Sequence, residues 1–204
     1  MTNKNLYLFD FDGTISSKDS FIHFFLKSYK KSYILKKLIF NFHLILYTAI
    51  VKKEKSKVKE LIISLFLKGK TKEEINTLGK KYGSLYIQEI IRPLALDYLY
   101  KIKKDSKNDV YIVSASLYFW LYHFAENISV KLISTKLAYS DNKFSGKFKG
   151  ENCKGMEKVN RIREEIDLKS YKQIISFGDS KGDVEMFSIS TKTNYKPFRD
   201  NCKL

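Results

Sequence analysis

Cysteine is scarce in this sequence, which contains only Cys153 and Cys202 among its 204 residues. Two cysteines are too few for a disulfide framework, so the class of small disulfide-stabilised secreted domains is excluded. Nothing before Leu6 has the basic, apolar and small-residue order of a secretory signal peptide. We therefore expect a reducing, cytoplasmic setting.

Long apolar runs are also missing. The most apolar stretch, LIFNFHLILYTAIV at 38–51, is shorter than the roughly 20 residues that span a bilayer, and it contains Asn41, His43 and Thr48. This stretch predicts a buried helix rather than a membrane anchor.

The sequence is also poor in acidic residues and in arginine. It has 38 basic and 22 acidic residues, which gives a net charge of +16. Lysine outnumbers arginine 34 to 4, whereas bidentate recognition of bases and phosphates favours arginine, so the composition argues against nucleic acid as the partner. Between Ser16 and Pro93 there are 17 basic and 6 acidic residues. The positive charge therefore belongs mostly to that segment.

Short apolar runs alternate with helical patterns over most of the chain, which predicts an α/β fold with a parallel sheet between helices. The predicted strands are 6–9, 110–113, 131–134 and 173–177, and the predicted helices around them are 94–104, 117–127 and 156–166. A small hairpin is predicted at 136–150, where Asp141 and Asn142 supply turn chemistry.

The segment from Ser16 to Pro93 breaks this alternation, because it has only helical periods. We interpret it as an all-helical cap, residues 16–93, inserted after the first strand of a core formed by 1–15 and 94–204. The competing interpretation is that these helices pack along one side of the sheet.

Polar residues directly follow three of the predicted strands. Asp10 and Asp12 follow the first, Ser114 and Ser116 the second, and Gly178 begins the Gly-Asp-Ser sequence after the fourth. A single aspartate after a strand is usually a turn former or a helix cap. Parallel strands end at one edge of a sheet, so three such ends predict a common site.

The carboxylates of this set have a spacing that suits a metal ion. Asp10 and Asp12 point the same way along an extended chain, and Asp179 and Asp183 are four residues apart at a helix start. Carboxylates brought together repel one another unless a cation intervenes. A hard divalent ion, Mg²⁺, is the expected cofactor, and its preference for phosphate oxygens predicts a phosphoryl substrate.

Four short sequences resemble, in order, the motifs of the haloacid dehalogenase-like phosphatase superfamily. They are DFDGT at 10–14, VSAS around Ser114, the lysine-bearing ENCKGMEKVNRI at 151–162, and GDSKGD at 178–183. The helical insert resembles the cap of the phosphoserine phosphatase-like branch. The resemblance implies a Rossmann-like three-layer core and hydrolysis of a phosphate monoester.

The resemblance also implies residue roles. Asp10 would be the nucleophile that forms a phosphoaspartate, and Asp12 the general acid and base. Asp10, the backbone carbonyl of Asp12 and Asp179 would hold Mg²⁺, with Asp183 supporting this shell. Ser114 would bind the phosphoryl oxygens.

Two assignments stay open at this point. The phosphate-binding lysine is either Lys154, by an ENxKG pattern, or Lys158, by a CxGxEK pattern, with a slight preference for Lys158. Asp19, Ser116 and Gly178 are the candidate substrate-binding residues, Asp19 because it stands where phosphoserine phosphatases carry an amino-group reader.

The substrate also has alternatives. A phosphoserine phosphatase and a lipid-phosphate phosphatase are the specific options, and a phosphotransferase or mutase would use the same intermediate. The basic, apolar cap also fits a peripheral contact with an anionic membrane. A different class is a non-enzymatic basic module that binds anionic lipid or nucleic acid.

Overall fold

The computed structural model describes residues 4–199, so Cys202 lies outside the described residues. That range contains six β-strands and nine α-helices. In chain order they are β1 (Asn5–Phe9), α1 (Ser20–Ser28), α2 (Lys31–Phe40), α3 (Phe42–Lys52), α4 (Lys55–Leu67), α5 (Lys72–Lys81), α6 (Pro93–Lys103), β2 (Asn108–Leu117), α7 (Tyr118–Asn127), β3 (Lys131–Ser140), β4 (Lys143–Lys149), α8 (Met156–Glu165), β5 (Gln173–Gly178), α9 (Val184–Ser188) and β6 (Lys192–Tyr195).

The strands form one sheet in the order β4-β3-β2-β1-β5-β6, and every pair is parallel except β3 with β4. Alternate side chains of β1 enter different cores. Leu6 and Leu8 pack with Ile162 of α8, whereas Phe9 packs with Leu99 of α6 on the opposite face. Helices therefore cover both faces, and the predicted Rossmann-like three-layer α/β architecture is confirmed.

The hairpin that the sequence predicted at 136–150 forms one edge of the sheet, and a strand that was not predicted forms the other. The hairpin is formed by β3 and β4, with Asp141 and Asn142 at its turn, both with positive φ. The fourth predicted strand is β5, and β4 and β6 are the two edge strands of the sheet. β6 was not predicted, because KTNY contains no apolar run; in the structure this strand is mostly exposed.

The segment between β1 and α6 is helical, as predicted. Its first and last residues lie side by side, because Ser16 pairs with Ile91 and the Arg92 N–H donates to the Ile15 carbonyl at 2.9 Å. Phe24 of α1 stacks on Trp120 of α7 with ring centroids 4.6 Å apart. The segment shares one continuous apolar core with a face of the sheet. Its division from the core as a domain, residues 16–93, stays a prediction.

The prediction of one buried helix at 38–51 is wrong. The chain bends by 61° between α2 and α3, at Asn41, and no described side chain of either helix is buried. Apolar composition predicts burial only where another element covers the helix. Here α3 contacts α2 and α4, which leaves most of its surface open.

Within residues 4–199, no single helix is long and apolar enough to cross a membrane, although α2 and the Phe42–Val51 part of α3 meet the length and composition criteria as a bent pair.

The packing of α5 against α7 depends on a glycine. A Cβ atom on Gly79 would lie 1.9 Å from the Phe119 carbonyl oxygen, so the two helices would have to separate. We expect Gly79→Ala to lower the free energy of unfolding by about 2 kcal/mol, since overpacking outweighs the gain in helix propensity. Urea unfolding measures the change.

The matched control is Lys80→Ala at the next, exposed position of α5. It should change the free energy of unfolding by less than about 0.5 kcal/mol. Equal stabilities of the two variants would contradict the close packing of α5 on α7.

Candidate active site

The three polar strand ends meet, as predicted, because β1 lies between β2 and β5. Phe9 is in register with Ile112 on one side and Phe177 on the other. The Asp10 N–H donates to the Phe177 carbonyl at 2.8 Å. Asp10 therefore lies beside the end of β5. On its other side β2 continues past Ile112 to Leu117, so Ser114 and Ser116 lie within this strand and not after it as predicted.

An acidic cluster forms at this edge from Asp10, Asp179 and Asp183. Each residue offers one carboxylate oxygen, and these three oxygens all lie within 4.8 Å of one another. Lys158 of α8 joins the cluster and donates to Asp10 Oδ1 at 2.6 Å and to Asp183 Oδ1 at 2.7 Å. The Arg199 guanidinium lies 3.4 Å from Asp179 Oδ2.

Burial and charge set the protonation of these groups. Burial raises the pKa of the Asp10 carboxyl to about 7, with Lys158 opposing this rise. Burial alone would lower the pKa of Lys158, but Asp10 and Asp183 outweigh it and raise that pKa. Burial also disfavours the charged form of Asp183, but Lys158 and Ser180 outweigh it and lower the Asp183 pKa. Asp183 and Lys158 therefore form an ionised pair beside Asp10.

Asp183 also organises the loop after β5. Its Oδ2 accepts from the Asp179 N–H at 3.2 Å, the Ser180 N–H at 3.1 Å and the Ser180 hydroxyl at 3.0 Å. Both oxygens of Asp183 thus have partners within the protein. The half-buried Asp179 carboxylate projects from the loop that Asp183 fixes.

Asp12 has two hydrogen-bond donors of its own. The Ser20 N–H donates to Asp12 Oδ1 at 2.7 Å and the Ser116 hydroxyl donates to Asp12 Oδ2. The Ser20 and Ser116 hydroxyls lie 2.8 Å apart. Burial, followed by the nearby Asp19 charge, raises the pKa of Asp12. A raised pKa favours the protonated carboxyl that a general acid requires.

The two candidate lysines differ in their surroundings. Lys158 is 2% exposed and contacts Asp10 directly. Lys154 is exposed and is one of the residues that line the cavity described next. Lys158 is therefore the lysine that touches the predicted nucleophile.

A cavity of about 710 Å³ opens onto the acidic cluster. Ser114 lines this cavity with a buried hydroxyl whose oxygen accepts from the Ser116 N–H at 3.0 Å, so its own proton is available to a ligand. Asp19 lines it as well, while its Oδ1 caps α1 by accepting from the Phe21 and Ile22 N–H groups. We refer to this space as the active-site cavity.

Ser116 and Gly178, two of the candidate substrate-binding residues, are placed differently. Neither is among the described residues that line the active-site cavity. Ser116 lies behind Asp12, to which it donates, and Gly178 ends β5 against Asp183. In this geometry both lie behind the carboxylates.

The residues present fit a hard divalent cation. Eight acidic and four basic residues line the active-site cavity, so an anionic substrate would meet a net negative surface without a cation. Three carboxylates converge with only Lys158 buried among them, which is an oxygen donor set that Mg²⁺ accepts. Gly13 has φ +83°, and a Cβ atom added there would lie 2.3 Å from Asp179 Oδ2. The glycine therefore leaves room for the Asp179 carboxylate beside the loop after β1.

Several residues contribute to the site without having been assigned a role from the sequence, among them Arg199 beside Asp179. Thr14 donates to Asp10 Oδ2 at 3.3 Å, Ser20 and Ser180 hold Asp12 and Asp183, and Lys59 of α4 lines the cavity. Lys59 donates to the Ala115 carbonyl at 2.8 Å, and burial lowers its pKa. The spacing of Thr14 from Asp10 was a usable signal, whereas Lys59 resembles any other lysine of that helix.

Comparisons with known proteins agree with this geometry. The haloacid dehalogenase-like hydrolase family matches residues 7–188. Protein CicA of Caulobacter vibrioides is 30% identical over 196 residues, which are 95% of this chain and 86% of that protein.

Solved structures with the same fold are more distant in sequence. A protein of unknown function from Bordetella pertussis Tohama I has a TM-score of 0.79 at 19% identity, covering 94% of this chain and 89% of that chain. A phosphoserine phosphatase, solved as an analogue of a phospho-aspartyl intermediate, has a TM-score of 0.56 at 22% identity, covering 94% and 86%. With a family match over most of its length and an acidic cluster at the expected strand ends, the chain belongs to the haloacid dehalogenase-like hydrolases.

Proposed function

We propose that this protein is a Mg²⁺-dependent phosphatase that hydrolyses a phosphate monoester through a phosphoaspartate on Asp10. The observation that carries the proposal is the meeting of Asp10, Asp12, Asp179 and Lys158 at one cavity. The solved phosphoserine phosphatase that mimics a phospho-aspartyl intermediate has the same fold, which supports this chemistry.

In the first step, an oxygen of Asp10 attacks phosphorus. The bond between phosphorus and the leaving oxygen breaks, and Asp12 supplies the proton that the leaving oxygen takes up. Its raised pKa suits this role, because burial keeps the proton on the carboxyl. The Ser20 N–H and the Ser116 hydroxyl fix the orientation of Asp12 throughout.

In the second step, the ionised Asp12 removes a proton from water, and the water oxygen attacks phosphorus. The bond from phosphorus to Asp10 breaks, which releases inorganic phosphate and restores both aspartates. Covalent catalysis of this kind divides one difficult displacement into two easier ones.

The phosphoryl group would be bound by Ser114 and Lys158. No hydrogen bond among the described residues uses the Ser114 hydroxyl proton, and the Lys158 ammonium lies 2.6 Å from Asp10 Oδ1. Bound Mg²⁺, held by Asp10, Asp179 and the Asp12 carbonyl, would neutralise the phosphate charge. Asp183 would act through the Asp179 loop and Lys158.

The helical segment 16–93 would act as the cap of this site. Lys55 and Lys59 of α4 line the same cavity as Asp10. Both lysines add positive charge opposite the carboxylates, where the non-reacting part of an anionic substrate would lie.

Two substrate classes follow from separate observations. Asp19 at the cavity wall fits a substrate with an amino group, such as phosphoserine. The exposed apolar surface of α2 and α3 fits a phosphate monoester carried by a lipid. A panel that contains phosphoserine, phosphatidate and short-chain phosphate esters would rank them by kcat/KM.

Removal of the metal tests the proposal. Purified protein should hydrolyse p-nitrophenyl phosphate in Mg²⁺, lose the activity in EDTA, and regain it when excess Mg²⁺ is restored. Because eight acidic residues line the cavity, we expect the loss to exceed about 100-fold. Stoichiometric release of inorganic phosphate separates a phosphatase from a phosphotransferase. Turnover that persists in EDTA would refute the metal requirement.

A further inference from the structure

Among residues 4–199, exposed apolar side chains are concentrated on α2 and α3, none of whose residues lines the active-site cavity. Ten of the nineteen large apolar side chains exposed among residues 4–199 belong to these two helices. They are Tyr33, Leu35, Ile39, Phe40, Phe42, Leu44, Leu46, Tyr47, Ile50 and Val51. We refer to these ten side chains as the α2–α3 surface.

This surface differs from that of an ordinary water-facing helix. Residues 42–51 contain no Asp, Glu, Lys or Arg, and Phe42 and Ile50 are each 60% exposed. A helix that is apolar all round is normally covered, and an exposed apolar patch of this extent marks an interaction site.

Charge identifies the partner. Seven lysines and a single acidic residue, Glu54, lie between Lys30 and Lys55. Lys30 and Lys31 begin α2, and Lys53 and Lys55 follow α3, so basic groups flank the apolar surface at both ends. A second copy of the chain would bring two such basic surfaces together, which like charges oppose. An anionic bilayer supplies both apolar depth and negative charge.

The size of the helices fits the bilayer surface rather than its interior. The 11 residues of α3 extend about 16 Å, roughly half of the hydrocarbon thickness. The 61° bend keeps α2 and α3 from forming one straight span. Both helices can therefore lie in the head-group region with their apolar side chains inserted.

We propose that the α2–α3 surface docks the protein on anionic phospholipid membranes. This inference goes beyond the proposed phosphatase function and does not depend on it. Lys55 and Ser56, which begin α4 two residues beyond the end of α3, line the active-site cavity, so docking would hold the cavity near the head groups.

Vesicle co-sedimentation of the full chain tests the proposal. Protein should sediment with vesicles of equal phosphatidylcholine and phosphatidylglycerol, remain in solution with phosphatidylcholine alone, and be released by high salt. Ile39→Ser/Ile50→Ser removes two side chains that are 63% and 60% exposed. We expect it to weaken partition by about tenfold or more, because less apolar area is inserted.

The matched control is Leu85→Ser/Leu94→Ser, at positions 63% and 47% exposed elsewhere on the surface, which should bind as the wild type does. Lys30→Glu/Lys31→Glu should weaken binding to anionic vesicles by a similar factor, and circular dichroism should show all variants folded. Asp10→Asn should bind normally, so a failure of the phosphatase chemistry leaves this result intact.

Three outcomes would overturn docking on anionic membranes. The first is no sedimentation of the wild type at physiological salt. The second is equal binding by the wild type and Ile39→Ser/Ile50→Ser. The third is a concentration-dependent dimer that the double serine variant abolishes while vesicles stay unbound, which would assign the surface to a second copy of the chain.

Discussion

Asp10→Asn is expected to reduce turnover of p-nitrophenyl phosphate by at least about 10⁴-fold, because an amide cannot serve as the attacking oxyanion. The substitution keeps the shape of the side chain, and Lys158 keeps its contact with Asp183 at 2.7 Å. The variant should therefore remain folded. Steady-state kinetics and a thermal unfolding curve together measure the two effects.

The matched control for this prediction is Asp97→Asn on the exposed surface of α6. It makes the same chemical change far from the cavity and should leave kcat within a factor of about two. An Asp10→Asn enzyme that retained a tenth of the wild-type rate would exclude Asp10 as the nucleophile.

Lys158→Met is expected to destabilise the protein as well as inactivate it. The lysine is 2% exposed and neutralises both Asp10 and Asp183. Removing one partner of a buried ion pair costs about 3–5 kcal/mol, because the remaining charges lose their compensation. Chemical unfolding at neutral pH measures this loss. Mg²⁺ should recover part of it by binding the uncompensated carboxylates.

Lys154→Met provides the comparison, because it removes an exposed lysine four residues earlier that contacts neither carboxylate in the described hydrogen bonds. Its effect on the free energy of unfolding should be below about 0.5 kcal/mol. Equal destabilisation by the two variants would show that the charge of the region, rather than the contact of Lys158 with the carboxylates, is what matters.

The acidic cluster could be predicted because topology alone brings it together. Asp10 and Asp179 directly follow two apolar strands, which need only be neighbours in a parallel sheet, and β1 and β5 are neighbours. Sequence spacing left Lys154 and Lys158 as alternatives, since both precede or enter the same helix. Only the packing of α8 against the sheet distinguishes the lysine that reaches Asp10.

Other features could not be predicted, for identifiable physical reasons. The stretch 38–51 was predicted to be buried because its residues are apolar. Apolar composition indicates that burial would be favourable, but it does not show whether a neighbouring element covers the helix. Lys59 reaches the cavity through a bond to the Ala115 carbonyl, 56 residues away, and no local pattern encodes such a contact. The edge strand β6 depends on hydrogen bonds to β5 rather than on apolar side chains.

The core that the helical segment shares with the sheet limits how substrates can enter. If the whole segment swung away on the paired backbone at Ser16 and Ile91, Phe24 would leave Trp120 and both rings would be wetted. Exposing aromatic area on this scale costs several kcal/mol at roughly 25 cal/mol per Å². Access to the cavity should therefore depend on local shifts of the start of α4, which lines it, together with the lightly packed α3, while α1 stays packed on Trp120.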